Sequence, residues 1–280
     1  MTRSDEFGPE EITGLYSNHP CSARSVLTRL RTQGADLRKI SARDLAEDSR
    51  EEETDQNHVG GAQFVRDLAE IAGIQRMDRV LDLGCGLGGS ARLLAELLGC
   101  FVDGLDISPQ RVREGNELTR AVRLESRVVL RCADLRTHDI PEAAYDHLWG
   151  QATWVHVRAK RAVFNPWLKA LKPRGRVALE DSYLKTEDVP QRWRSTLEEL
   201  SSVWMADIPT LQQWKEVFEP EATVVAFEDL TSDFVRYFQR LVANSAMTHE
   251  GSQREYRGWT MALALADAGV LGYMRLIAQK

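Results

Sequence analysis

Apolar positions fall into two alternating periods along the middle of the chain. Between positions 60 and 74, Ala62, Val65, Leu68, Ala69 and Ala72 recur at spacings of three and four, one face of a helix that Gly73 stops. Arg79 to Leu83 is a short run with the look of a buried strand, and a helix rich in leucine and alanine follows from Ser90 to Leu98. Phe101 to Asp106 reads as a second strand. Ser108 then caps a long helix that Pro109 opens and that runs to about Leu124. Arg127 to Cys132 and Tyr145 to Trp149 are a third and a fourth strand. Ala159 to Leu171 is helical, stopped by Pro173 and Gly175, and Arg176 to Glu180 is a fifth strand. Strands alternating with helices predict an α/β fold: a doubly wound parallel sheet with helices on both faces.

The pattern changes on either side of this core. Residues 185–206 are polar and helical, Leu211 to Phe218 is a short helix and Thr223 to Phe227 a sixth strand. Asp229 to Ala243 and Tyr256 to Ala268 are helices, and Gly272 to Ala278 is a last strand. Segments 185–206 and 229–268 exceed ordinary connections and predict a helical cap over a substrate pocket, with Trp193, Trp204 and Trp259 in its core. Near the start, Glu10 to Tyr16 and Ser22 to Arg31 read as short helices, followed by a dense run of Asp, Glu and Arg from Arg43 to Asp55. That run predicts a solvated arm or linker. The sharper alternative is a flap that folds over a ligand with Tyr16 as its aromatic tip. The expected organisation is an arm over 1–57, a cofactor-binding core over 58–183, and cap segments with the last two strands over 184–280.

Charge and composition narrow the classes. A net charge of -6 argues against sequence-independent nucleic-acid binding, which needs a concentrated basic surface. No apolar run approaches the ~20 residues of a membrane helix, and the first residues are polar and acidic, unlike a signal peptide. Cys21, Cys85, Cys100 and Cys132 lie far apart with no C-x-x-C, and the histidines form no H-E-x-x-H. Reduced thiols, a cytoplasmic location and no metal are expected. Association of copies through the arm stays open.

In parallel sheets ligands sit beyond the carboxyl ends of the strands. That singles out Gly84 to Gly89, Asp106, Asp134, Gln151 to His156 and Glu180 to Tyr183. Gly84, Gly86 and Gly89 satisfy G-x-G-x-x-G with Asp106 roughly 20 positions on, so an NAD(P)-dependent oxidoreductase is one reading. Asp82, inside the strand, is placed to face a cationic group. Asp134 is placed to receive an adenine amino group, with Leu135 packed on the ring. These two point elsewhere.

The run Val80-Leu81-Asp82-Leu83-Gly84-Cys85-Gly86-Leu87-Gly88-Gly89 resembles the first motif of class I S-adenosylmethionine-dependent methyltransferases. Asp106, Asp134 and Leu171-Lys172-Pro173-Arg174-Gly175-Arg176 resemble their later motifs, and the likeness covers roughly residues 58–280. Arg174 departs from it, standing where the family often has glycine. The resemblance implies a Rossmann-like seven-stranded sheet with the last strand antiparallel, and S-adenosylmethionine as cofactor. It implies Asp106 on the ribose, Asp134 on the adenine, and Gly84 and Gly86 beside the methionine part. Asp82, Cys85, Gly89, Ile107, Leu135 and Gln151 complete the expected cofactor set. Asp55 to Gly61, Trp149 to His156 and Phe227 to Thr231 resemble segments of enzymes that methylate small molecules: sarcosine/dimethylglycine, phosphoethanolamine, sterol and isoprenoid methyltransferases. The acceptor atom is then an amine nitrogen or a carbon of a natural product, with a hydroxyl third. A non-catalytic cofactor-binding protein is a further alternative.

His156 and Glu180 are the candidate catalytic groups, and Trp154 and Tyr183 the candidate substrate contacts. Each has a plainer role beside it. His156 could cap a helix, Glu180 could be satisfied by backbone N–H groups, Trp154 could fill core space, and His58 reads as structural. No arginine cluster for a diphosphate is evident, unless Arg192 and Arg194 in the cap serve.

Overall fold

A computed structural model describes residues 7–16, 19, 21–47, 54–139, 142–245 and 253–280. Three helices come first: α1 (Pro9–Tyr16), α2 (Ala23–Thr32) and α3 (Ala42–Ala46). Next come α4 (Gly61–Ala72), β1 (Arg79–Leu83), α5 (Gly89–Leu98), β2 (Phe101–Asp106), α6 (Pro109–Ala121), β3 (Val128–Cys132) and β4 (Tyr145–Gln151). A 3-10 turn, Trp154–His156, precedes α7 (Lys160–Leu168) and β5 (Leu171–Leu184). The chain closes with α8 (Gln191–Trp204), α9 (Leu211–Phe218), β6 (Thr223–Asp229), α10 (Thr231–Ser245), α11 (Gln253–Asp267) and β7 (Leu271–Gln279).

The seven strands form one sheet in the order β3-β2-β1-β4-β5-β7-β6. The first five are parallel, and β7 runs antiparallel to both β5 and β6. Chain direction across the sheet reverses between β1 and β4, so a crevice opens where both strands end. Alternation along β1 sends Leu81 and Leu83 into one core layer and Val80 into the other. On β4, Leu148 and Trp149 divide in the same way, both fully buried.

Two expectations need correction. The helix before β5 ends at Leu168, and β5 already begins at Leu171. Leu171 pairs with Tyr145 and Arg176 with His147, so residues 172–175 bulge out of the ladder. Within that bulge Arg174 takes φ +66, a left-handed conformation that glycine adopts more easily. The charged stretch is also no solvated arm where it is described. Leu45 of α3 is fully buried, packing with Val26, Leu30 and Ile40 against Leu87, Leu118 and Val122. Asp55 ends the stretch in an ion pair with Arg92 of α5, 2.9 Å long and sealed from solvent on both sides. Residues 48–53 lie outside the described residues.

Helices α8, α10 and α11 pack as a cap through Leu200, Phe234, Phe238 and Leu265, and reach the sheet at Tyr273. Among the described residues no helix is long and apolar enough to cross a membrane.

Candidate active site

The glycine turn after β1 is built for close approach. Gly84 sits at φ +84, and a Cβ there would collide with the Thr153 side chain. A Cβ on Gly89 would collide with the Asp55 backbone. Gly84 and Cys85 donate their N–H groups to the Leu105 carbonyl, at 2.7 and 3.0 Å. Gly86 N donates to Asp106 Oδ2 and Ser108 N to Asp106 Oδ1, each at 2.8 Å. The turn therefore lies flat against the end of β2, with the Asp106 carboxylate fixed at its edge.

A cavity of about 130 Å³ opens over this turn. All ten residues expected to hold the cofactor line it, from Asp82 at the end of β1 to Gln151 at the end of β4. Phe7, Ile12 and Tyr16 form a wall from the N-terminal side. Asp82 is only 3% exposed and accepts no hydrogen bond from any described residue. Burial, and then the neighbouring Asp106, push its carboxyl up to about 8. A cation beside it would reverse that cost. Burial also raises Asp106, against the two backbone N–H groups that hold it. Asp134 is engaged otherwise than expected. Arg136 grips both its oxygens, at 2.8 and 2.6 Å, and holds it below the usual carboxylate range. An adenine amino group would share that carboxylate with Arg136, which also donates to the Phe7 carbonyl at 2.9 Å.

A second cavity, about 1320 Å³, lies under the cap and meets the first at Tyr16, Asn57, His58, Ala152 and His156. At this junction Tyr16 Oη and His156 Nε2 are 2.9 Å apart. The other ring nitrogen, Nδ1, is 3.1 Å from the Met205 carbonyl. A carbonyl only accepts, so Nδ1 carries the proton, and Nε2 offers a lone pair to the tyrosine hydroxyl. Burial lowers the His156 pKa and keeps the ring neutral. It pushes the Tyr16 hydroxyl up to about 12.

The fold holds this pair from behind. Met205 ends α8 in the left-handed conformation, φ 51 and ψ 51. Lys160 donates to the Val157 carbonyl and to Asp207 Oδ2, each at 2.8 Å, and Asp207 N donates to the Val155 carbonyl at 2.7 Å. Asp181 accepts from Trp154 N and Val155 N at 2.8 and 3.2 Å, which anchors the 3-10 turn carrying His156.

Three expected contacts lie elsewhere. Glu180 is fully buried and lines neither cavity. Its Oε1 accepts from Arg275 Nε and its Oε2 from Gln151 Nε2, both at 2.7 Å. Burial still pushes it up to about 7, against the pull of Arg275. Glu180 orients Gln151, whose Oε1 accepts from Ser90 Oγ at 2.7 Å and Trp149 Nε1 at 3.1 Å, and so acts through that amide. Trp154 is fully buried, edge-on to Phe164 at 4.4 Å between ring centres, and lines neither cavity. Tyr183 turns away from both cavities and packs edge-on against Phe227 at 5.7 Å. Its packing explains this last case: Tyr183 belongs to the same buried layer as Trp154, Trp214 and Met274.

The buried Arg92–Asp55 pair and Arg275 were not anticipated. Their signal was present: each arginine interrupts an apolar run, Ala91 to Leu94 and Met274 to Ala278.

Residues 80–175 match a family described as a methyltransferase domain. That match takes in the glycine turn, Asp106 and Asp134. The chain is 26% identical over 231 residues to phosphoethanolamine N-methyltransferase 1 of Triticum aestivum, a match covering 79% of this chain and 45% of the wheat protein. It thus spans less than half the length of that curated relative. Among solved structures, a protein from Galdieria sulphuraria assigned as a sarcosine dimethylglycine methyltransferase superposes with a TM-score of 0.70 at 19% identity, covering 92% of this chain and 98% of that one. Phosphoethanolamine N-methyltransferase 2 of Haemonchus contortus, solved with phosphomonomethylethanolamine and S-adenosylhomocysteine, gives 0.71 at 20% identity, covering 81% and 54%. At such identities the two structures show a shared fold and nothing more.

Proposed function

We propose that the protein transfers the methyl group of S-adenosylmethionine to a small-molecule acceptor, with the cofactor in the smaller cavity and the acceptor in the larger. One observation carries this reading: the two cavities share a junction, and the hydrogen-bonded pair Tyr16 and His156 stands in it.

The residues of the smaller cavity fit the cofactor. Asp82 is a buried carboxylate without a donor, suited to the cationic methionine end. Asp106 keeps lone pairs for ribose hydroxyls beyond its two backbone bonds. Ile107 and Leu135 flank an apolar slot for a flat base. At Gly86 a Cβ would meet only the Arg111 guanidinium at ordinary contact distance, so the backbone there admits close approach. The oxidoreductase reading of the same glycines meets an obstacle at Asp82: a pyrophosphate laid on the turn would oppose its ionisation further, whereas a cation would draw off its proton and pair with it.

When bound, S-adenosylmethionine supplies a methyl carbon already activated by a sulfonium. The chain's own task is alignment, water exclusion and proton removal. Tyr16 and His156 perform the last. The tyrosine oxygen accepts the acceptor's proton while its own passes to His156 Nε2, and the charge comes to rest on an imidazolium held by the Met205 carbonyl. The apolar wall contributed by α1 keeps bulk water from the junction.

The test is incubation of the purified protein with methyl-labelled cofactor and a metabolite panel, alongside calorimetry with S-adenosylhomocysteine. Label in an acceptor, lost in Tyr16→Phe with S-adenosylhomocysteine binding intact, is expected. Failure to bind S-adenosylhomocysteine overturns the reading.

A further inference from the structure

The larger cavity is too big and too apolar for a small zwitterion. At about 1320 Å³ it exceeds the ~300–1,000 Å³ that takes a drug-sized ligand. Large aromatic side chains stand in its walls: Phe64, Trp204, Phe234, Phe238 and Trp259 all line it.

Cations that would receive a phosphate are placed elsewhere or already neutralised. The lining arginines among the described residues are Arg66, Arg236 and Arg240, none of them buried. Arg66 pairs with Glu47 and Arg236 with Asp233, while Glu255 and the buried Asp181 add two more carboxylates, so among the described residues the lining carries no excess of arginines over acids. The buried Arg275 lines neither cavity and is held by Glu180 and Glu228 at 2.7 and 2.8 Å. Arg194 of α8 pairs with Asp188, and neither it nor Arg192 lines a cavity. The lining histidines His19 and His58 are both lowered to about 4, chiefly by burial, and stay neutral.

One polar group in the wall is unsatisfied. Tyr273, 2% exposed, lines the cavity, and its hydroxyl has no hydrogen-bond partner among the described residues. A buried hydroxyl of this kind is costly until a ligand oxygen accepts its proton.

We infer that the acceptor is an uncharged, predominantly apolar molecule bearing a hydrogen-bond-accepting oxygen, and not a phosphate ester. This deepens the proposed function and rests on it. The aromatic walls bury the body of the molecule, Tyr273 donates to its oxygen, and its reactive group reaches Tyr16 and His156 at the junction. The balance of charge at the rim leaves no net attraction for a dianion.

The test titrates Nile red, a neutral apolar dye, into the full-length protein saturated with S-adenosylhomocysteine. Blue-shifted, saturable fluorescence is expected. Trp259→Arg places a cation in the wall and weakens the dye at least about tenfold, with S-adenosylhomocysteine affinity unchanged by calorimetry. Trp259→Phe retains dye binding and controls for folding. Neutral hydroxylated terpenoids displace the dye, whereas phosphoethanolamine and geranyl diphosphate at millimolar concentration do not. Displacement by either phosphate ester, or dye binding indifferent to Trp259→Arg, overturns the inference. Loss of S-adenosylhomocysteine binding in the wild type overturns the methyltransferase reading instead, and the two failures are read on separate instruments.

Discussion

The two cavities are built by opposite rules. The smaller rests on strand ends and one glycine turn, and Asp82, Asp106 and Asp134 lie at or just after those strand ends. Backbone N–H groups and the sheet register set its shape, and few side chains can vary without a collision. The larger is assembled from faces of α4, α10 and α11 and the ends of α1 and α8, and large aromatic side chains from these helices supply much of its apolar wall. A rigid, charged site recognises one cofactor; an apolar site walled by helices can be reshaped for a different acceptor by exchanging side chains. They meet where Tyr16 from the N-terminal helix and Asn57 and His58 before α4 face Ala152 and His156 after β4.

The sharpest way to break that comparison is at the junction. Tyr16→Phe and His156→Gln each remove half of the proton path and should lower kcat by about 10²–10⁴ while S-adenosylhomocysteine binding persists. A parallel loss of cofactor affinity would mean that the pair belongs to the smaller cavity alone. Next in size is the frame of the smaller cavity. Arg92→Met strands Asp55 as a buried, unpaired charge, at about 3–5 kcal/mol. A melting temperature lower by roughly 10 °C is expected, with partial recovery in the double variant Arg92→Met, Asp55→Asn. Asp106→Ala should weaken S-adenosylhomocysteine about 10- to 100-fold through lost bonds to a charged group, with dye binding in the larger cavity untouched.

The smallest effect is a proton. In the free protein Asp82 sits near 8, far above its unfolded value of 3.8, so the folded chain holds that proton between the two values. Its contribution to stability is therefore present at low pH and lost as pH rises through about 8. A ligand ammonium beside Asp82 would expel the proton. S-adenosylhomocysteine binding at pH 6 to 7 should release up to about one proton, read by calorimetry in buffers of different ionisation enthalpy. Asp82→Asn should abolish the release.

What the sequence disclosed follows the same division. The smaller cavity was legible because glycines, a strand-end acid and an apolar run are local signals, and all ten residues read from them line one space. Position relative to a strand end was not enough for Glu180, Trp154 and Tyr183. For them packing and the depth of burial decide which way a side chain turns, and Arg275, 95 residues beyond Glu180, supplies a partner that no local pattern reveals. Tyr16 was named as the tip of a flap, but its bond to His156 spans 140 positions and depends on tertiary packing. The β5 bulge, read as a loop, left its trace in Pro173, Arg174 and Gly175. The larger cavity had only spaced aromatics to announce it, and these read equally well as cap core.

The most direct measurement is calorimetric titration of the wild-type protein with S-adenosylhomocysteine and, in parallel, with NAD. The account predicts saturable binding of S-adenosylhomocysteine at one site per chain and none of NAD at the same concentrations. Preferential binding of NAD would contradict it, because Asp82 would then have to tolerate a pyrophosphate on the glycine turn.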